Sequence, residues 1–182
     1  MVPEAMLDDT ETGKVPTTDG WFVVNARDVQ WYHREGRPAI WNIEGTTDFP
    51  QLGANLNVLW PGQPMAMYHW EADQEDFLVI SGEALLIAEG EERQLRAWDF
   101  VHFPPRAAHT IVGAGDGPCV VLAVGARIDS VDNPDWGGYP VDPVAQRHGA
   151  GVDEETTVPD EAYARFEKRQ PTRYQEGWLP GL

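Results

Sequence analysis

Fifteen prolines and eighteen glycines are scattered along this chain and cut it into short pieces. Proline removes a backbone donor, and glycine weakens any helix it interrupts. No amphipathic pattern of about 15 residues or more survives between them, which leaves no room for a helical bundle. What remains are short apolar runs bounded by turn signals, the pattern of an all-β sandwich or barrel. At 182 residues the chain has the length of one ordinary domain with tails.

The runs predict strands over residues 21–25, 39–43, 52–60, 65–71, 77–80, 84–88, 94–96, 100–103 and 109–112. Residues 119–124 form a continuous apolar run and are expected in the core. Ser81, Gly82 and Glu83 read as one turn, and Glu89, Gly90 and Glu91 as the next. Asp142 before Pro143 signals a helix start, with a stop at Gly149. A second helix is expected over residues 159–168, ended by Pro171. The organisation read from these signals has three parts. Residues 1–20 are a flexible N-terminal segment, and residues 21–128 a barrel that includes N-terminal strands. Residues 129–182 are an extension with short helices packing on that barrel.

Charge limits the partners. Thirty acids against thirteen bases leave a net charge of −17, which repels nucleic acid and anionic membranes. No apolar run approaches the ~20 residues of a membrane span. The first eighteen residues lack a basic start followed by an apolar stretch, so no secretory signal is expected. The single cysteine, Cys119, excludes an internal disulfide and a multi-cysteine zinc site. A reducing cytoplasm is the expectation. Eight tryptophans, among them Trp21, Trp31 and Trp41, are more than one small barrel is expected to hold, which points to a homodimer. No phosphate-binding glycine loop or nucleophile elbow is present.

The chemistry concentrates in His69, Glu71, Glu75 and His109. On a strand, Met65, Met67, His69 and Glu71 share one face. A buried imidazole and carboxylate there are costly unless paired or bound to a cation. Two imidazoles and two carboxylates from separate strands make a mixed N/O set suited to a divalent first-row metal. A lone His or Glu in a β protein is more often a surface or satisfied core residue, and it is the joint spacing that lifts these four above that reading. His102 reads as structural, Tyr68 and Trp70 as packing or interface residues facing away from His69, and Cys119 as buried and inert. His33 and His148 carry no spacing signal, and Asp153, Glu154 and Glu155 read as a solvated loop.

This spacing resembles that of the cupin superfamily. Gly62, His69, Glu71, Glu75 and Gly82 follow its first motif, with Glu71 where a second histidine is usual. Pro104 and His109 follow the second motif. Trp98 and Arg106 stand where that motif has glycines, and Gly113 where it has asparagine. The resemblance covers roughly residues 55–127. It implies a double-stranded β-helix, the jelly-roll barrel of cupins, with an N-terminal strand extension and short C-terminal helices. It implies one divalent metal ion inside the barrel, with His69, Glu75 and His109 at ligand positions. Glu71 is either a fourth ligand, a general base, or the mark of a site that has lost its metal. A set richer in carboxylate favours Mn or Fe over Cu, with Zn and Ni also open. Met65 and Met67 are candidate pocket residues, and Arg106 at the mouth is a candidate grip for a carboxylate. The expected function is a metalloenzyme acting on a small organic molecule, by dioxygenase, decarboxylase, isomerase or lyase chemistry. The alternatives are a non-catalytic ligand- or metal-binding module and a vestigial pocket, the last disfavoured because His69, Glu75 and His109 are all present.

Overall fold

The computed structural model describes residues 1–129 and 133–181. The N-terminal part contains β1 (Leu7–Thr10), β2 (Gly13–Pro16), β3 (Trp31–His33), β4 (Ala39–Asn42) and β5 (Leu52–Leu59). The central part contains β6 (Trp70–Glu71), β7 (Glu75–Ser81), β8 (Glu83–Ala88), β9 (Glu91–Arg96), β10 (Phe100–Phe103), β11 (His109–Ala114) and β12 (Cys119–Ala126). The C-terminal part contains β13 (Gly137–Gly138), α1 (Pro143–Arg147), α2 (Pro159–Ala162) and β14 (Gln170–Thr172).

Two sheets face each other. The larger has seven strands in the order β10-β7-β12-β5-β4-β3-β14, and the smaller has three, β11-β8-β9. Neighbours pair antiparallel throughout. The chain passes from the first sheet to the second at Gly82, whose φ of +78° and 2.6 Å approach of a hypothetical Cβ to the Pro118 carbonyl both demand glycine. The double-stranded β-helix implied by the motifs is therefore present.

The continuous apolar run of β12 has a direct cause, because the strand is buried on both faces. Cys119, Val121 and Ala123 point into the barrel with Phe77, Val79, Leu86, Phe103 and Ile111. Val120 and Leu122 point the other way, into a second core with Leu56, Val58, Trp31, Ala39 and Trp178. That second core is the contribution of the N-terminal strands and the C-terminal tail. It also absorbs aromatic surface within one chain. Trp31 is fully buried, with its indole N–H donated to the Ala26 carbonyl, and it packs against Trp41 and Trp178. The tryptophan count therefore does not by itself call for a second subunit.

Several local expectations change. Residues 21–25 form no strand; Trp21 makes only an isolated bridge to Glu4, and the pairing strand is β3. Residues 1–20, read as flexible, hold the β1–β2 hairpin, and Ala5 is buried. Residues 65–69 are not a regular strand, and β6 begins only at Trp70. There the Tyr68 N–H turns aside to the Ala150 carbonyl, which breaks the ladder. The second helix stops at Ala162, since Val158 supplies no side-chain cap at its start and the following residues turn to pack inward. The first helix matches expectation, with the Asp142 carboxylate accepting from the Ala145 N–H at 2.8 Å.

Candidate metal centre

The site lies where the two sheets meet. Glu75 opens β7 and His109 opens β11, and the two strands belong to different sheets. His69 joins them through a reciprocal backbone pair with His109, at 3.1 Å and 2.8 Å. Ligand atoms of His69, Glu75 and His109 all lie within 4.8 Å of one another, a group able to hold a metal ion.

The local backbone orients both rings. The His69 Nδ1–H donates to the Met67 carbonyl at 2.8 Å, and the His109 Nδ1–H to the Ala107 carbonyl at 2.9 Å. Both Nε2 lone pairs therefore point into the site, the arrangement that metal-binding histidines need. His109 is clamped further by Phe103, stacked at 3.9 Å between centroids, and by Phe77 edge-on at 5.3 Å. His109 Nε2 and Glu75 Oε2 are buried, and neither has a hydrogen-bond partner among the described residues. Two acceptors left facing each other need a proton or a cation between them. The donor set thus fits a divalent ion.

Without a cation the site holds charge awkwardly. Burial pushes the Glu75 carboxyl up to about 7, with Glu71 adding to the rise and His69 opposing it. Burial, with the charge of His69 beside it, pushes His109 down to about 3. Burial also opposes charge on His69, but Glu71 and Glu75 together outweigh it and hold its pKa above the ordinary value. A proton shared around His69 thus stands in for the positive charge that the carboxylates attract.

Glu71 is at the edge of this group. Its Oε1 is 3.5 Å from His69 Nε2, and the compact set of three does not include it. Its backbone is held by β13 and by the Arg106 N–H, which donates to its carbonyl at 2.7 Å.

The other sequence candidates separate. Met65 packs against the barrel core, whereas Met67 is buried in a different cluster with Tyr139, Val152 and Ala162. The shared face expected from strand alternation is lost because residues 65–69 are irregular. The Arg106 guanidinium lies over the Trp70 ring at 4.8 Å. Trp98 and Arg106, which stand where the motif has glycines, keep a glycine-like backbone, with φ of +74° and +70°. Gly113 has its own reason: a Cβ there would lie 2.3 Å from the Trp60 carbonyl oxygen. His102 pairs with Asp76 at 2.7 Å near the sheet edge, away from the site.

Sequence reading missed Tyr139 and Tyr163. Tyr139 stacks on His69 at 5.9 Å, and Tyr163 meets Tyr139 edge-on at 6.0 Å. The only sequence signal was the Gly137, Gly138 pair. A Cβ on Gly138 would come 3.1 Å from the Trp70 indole nitrogen, so glycine lets this segment lie on β6 and carry Tyr139 to the ring.

Residues 55–125 match a family model described as the cupin domain. A provisionally assigned sugar phosphate isomerase from Acidithiobacillus ferrooxidans is 33% identical over 43% of this chain and 52% of that one, with a TM-score of 0.42. This chain thus spans about half the length of that protein. A Cupin 2 conserved barrel domain protein from Salinispora arenicola is 25% identical over 52% of this chain and 80% of that one, with a TM-score of 0.45. The polyketide cyclase RemF from Streptomyces resistomycificus is 14% identical over 58% of this chain and 79% of that one, with a TM-score of 0.50, a likeness of fold alone. No curated protein matches the chain. Among the described residues no helix is long and apolar enough to cross a membrane.

Proposed function

We propose, from the premise that this chain belongs to the cupin superfamily through residues 55–125, that it is a metalloenzyme acting on a small organic molecule. His69, Glu75 and His109 would hold one divalent ion, Mn or Fe by the hardness of the carboxylate-bearing set. The observation that carries the reading is the pair of orphaned atoms, Glu75 Oε2 and His109 Nε2, aimed at one another in a buried site. The bound ion supplies Lewis-acid or redox chemistry there.

Glu71 supplies the proton chemistry. It stands beside His69 without belonging to the compact ligand set, and in that position a carboxylate can accept or return a proton. Tyr139, stacked on His69, and Tyr163, packed on Tyr139 with Met67, would border the substrate position on that side. The reading takes the protein as a cytoplasmic homodimer, and sedimentation at micromolar concentration tests the dimer.

The test of function is elemental analysis of untagged protein purified without chelators. Near-stoichiometric Mn or Fe in the parent, lost in His69→Ala and kept in Glu71→Gln, supports the assignment. Turnover is then sought with a panel of small organic acids followed by mass spectrometry, with Glu71→Gln expected inactive. Absence of metal after reconstitution with Mn(II), Fe(II), Zn(II), Ni(II) and Cu(II) in turn would leave a ligand-binding module as the better reading.

A further inference from the structure

We propose that Tyr139 is a positioning residue for the candidate metal centre: its ring fixes the His69 imidazole, so that docking of residues 136–163 and binding of the ion strengthen each other. This role rests on the metal-binding function proposed above for His69, Glu75 and His109. It belongs to a part of the chain outside residues 55–125, which the cupin family model matches.

The three ligands are held in different ways. Glu75 and His109 open regular barrel strands, and the His109 ring is fixed by two barrel residues, Phe103 and Phe77. His69 precedes β6 in an irregular segment, which β11 holds only at intervals. The Met65 N–H donates to the Ile111 carbonyl, the Thr110 hydroxyl to the Ala66 carbonyl, and His69 exchanges backbone bonds with His109. The amides on either side of His69 are satisfied from the C-terminal extension. The Met67 N–H donates to the Tyr163 hydroxyl oxygen at 3.0 Å, and the Tyr68 N–H to the Ala150 carbonyl at 2.7 Å. The Ala72 N–H donates to the Trp136 carbonyl at 2.7 Å, and between these anchors Trp70 and Glu71 pair with Gly138 and Gly137. Met67, Tyr68 and Ala72 are all buried, and buried amides need such partners. The extension therefore sets the backbone path on both sides of His69.

The side chain is held from the same direction. The His69 Nδ1–H donates to the carbonyl of Met67, whose own N–H is bonded to Tyr163. One face of the imidazole is covered by the Tyr139 ring, with centroids 5.9 Å apart and planes inclined by 27°. That is an ordinary offset ring pair. Tyr139 is itself immobilised: it is buried, exchanges backbone bonds with Thr156 at 2.8 Å and 3.3 Å, and packs with Met67, Val152 and Ala162. A ring that cannot turn presents its Nε2 lone pair in one direction, so binding does not first have to restrict it. Such coupling is reciprocal. If docking of the extension raises affinity for the ion, the ion stabilises docking by the same factor.

The experiment has two arms, both on the full chain. Calorimetric titration with Mn(II) compares the parent with Tyr139→Leu and Tyr139→Phe. Loss of the aromatic face in Tyr139→Leu should weaken binding at least tenfold, whereas Tyr139→Phe keeps the face and should stay within about threefold of the parent. The visible absorption of the Co(II)-loaded chain, which reports ligand geometry, should change in Tyr139→Leu and not in Tyr139→Phe. Lower fold stability alone would not alter that spectrum. In the second arm, hydrogen exchange of the parent is read by mass spectrometry. Saturating Mn(II) should slow exchange at least tenfold in residues 67–72 and 136–163 and leave the β1–β2 hairpin unchanged. If Tyr139→Leu fails to fold, the exchange arm decides. Parental affinity and Co(II) absorption in Tyr139→Leu, or exchange in residues 136–163 indifferent to Mn(II), overturns the positioning role and leaves the metal centre standing. A parent chain that binds no divalent ion overturns both.

Discussion

His109 Nε2 and Glu75 Oε2 face each other across 3.4 Å inside the barrel, and neither has a hydrogen bond. The strand pairing imposes this meeting. β7 and β11 lie in different sheets, and each presents its first residue at the same end of the barrel. Both histidines have their other ring nitrogen tied to a carbonyl two residues upstream, which fixes where the free lone pairs point.

Metal binding should therefore be proton-coupled. Burial holds Glu75 protonated up to about 7, and a cation competes with that proton for the same oxygen. Affinity for Mn(II) should fall as pH drops from 8 to 6. In the metal-free chain the raised folded pKa of Glu75 works in the opposite sense. Its contribution to stability is complete below the ordinary value of 4.5 and is lost as pH rises through about 7. Saturating Mn(II) at 100-fold its Kd should stabilise the fold by about 2.7 kcal/mol. Thermal unfolding at pH 6, 7 and 8, with and without Mn(II), checks both signs. A metal-induced shift independent of pH would remove Glu75 from the site.

Arg127 should be the most costly exposed-side residue to remove. Its guanidinium grips Glu44 with two bonds, at 2.7 Å and 3.1 Å, and the Phe49 carbonyl with a third contact at 2.8 Å. The Glu44 side chain is almost fully buried, so Arg127→Ala strands a carboxylate. A loss of about 3 kcal/mol is expected. In urea denaturation, the double variant Arg127→Ala with Glu44→Gln should recover part of it. A loss under about 0.5 kcal/mol would mean that water screens the pair.

Trp98 carries backbone strain that glycine would relieve. Its φ is +74° and its side chain is 74% exposed, so little packing is lost on truncation. The left-handed conformation costs a non-glycine residue about 1 kcal/mol, against a somewhat smaller entropy cost of glycine in the unfolded chain. Trp98→Gly should be neutral or stabilising by up to about 1 kcal/mol, whereas β-branched Trp98→Val should destabilise. A marked loss in Trp98→Gly would show that the exposed indole is engaged elsewhere, a dimer face being the direct candidate.

Cys119 should resist thiol reagents in the native state. It is fully buried on the barrel face of β12, and burial pushes its thiol up to about 11. At pH 8 the thiolate is scarce and unreachable, so modification should proceed at the rate of unfolding. Labelling with a disulfide-exchange reagent, with and without urea, reads this directly. Fast native labelling would require an opening of the β5–β12 ladder.

Much of the barrel was legible because strand signals are local. The 77–80, 84–88, 100–103 and 109–112 readings fall on β7, β8, β10 and β11, since alternation and turn residues act within a few positions. The N-terminal strand was misplaced from Trp31 to Trp21 because both runs are aromatic, and only long-range pairing chooses between them. The Met65 to Glu71 alternation failed for a related reason. The partner of that segment changes along its length, from Ile111 to Ala150 to His109 and then β13, and no single ladder sets its faces.

The sequence alone determined the barrel and three residues of the candidate site, because motif spacing places Glu75 and His109 at the starts of β7 and β11 and His69 just before β6, where the pairing of His69 with His109 brings them together. Only the tertiary structure decided what surrounds them. Tyr139 and Tyr163 come from segments far from the motif residues in the chain, and neither carries a spacing signal linking it to them. Their meeting depends on the C-terminal extension folding back over β3 and β6, and burial against distant residues leaves no local period to read.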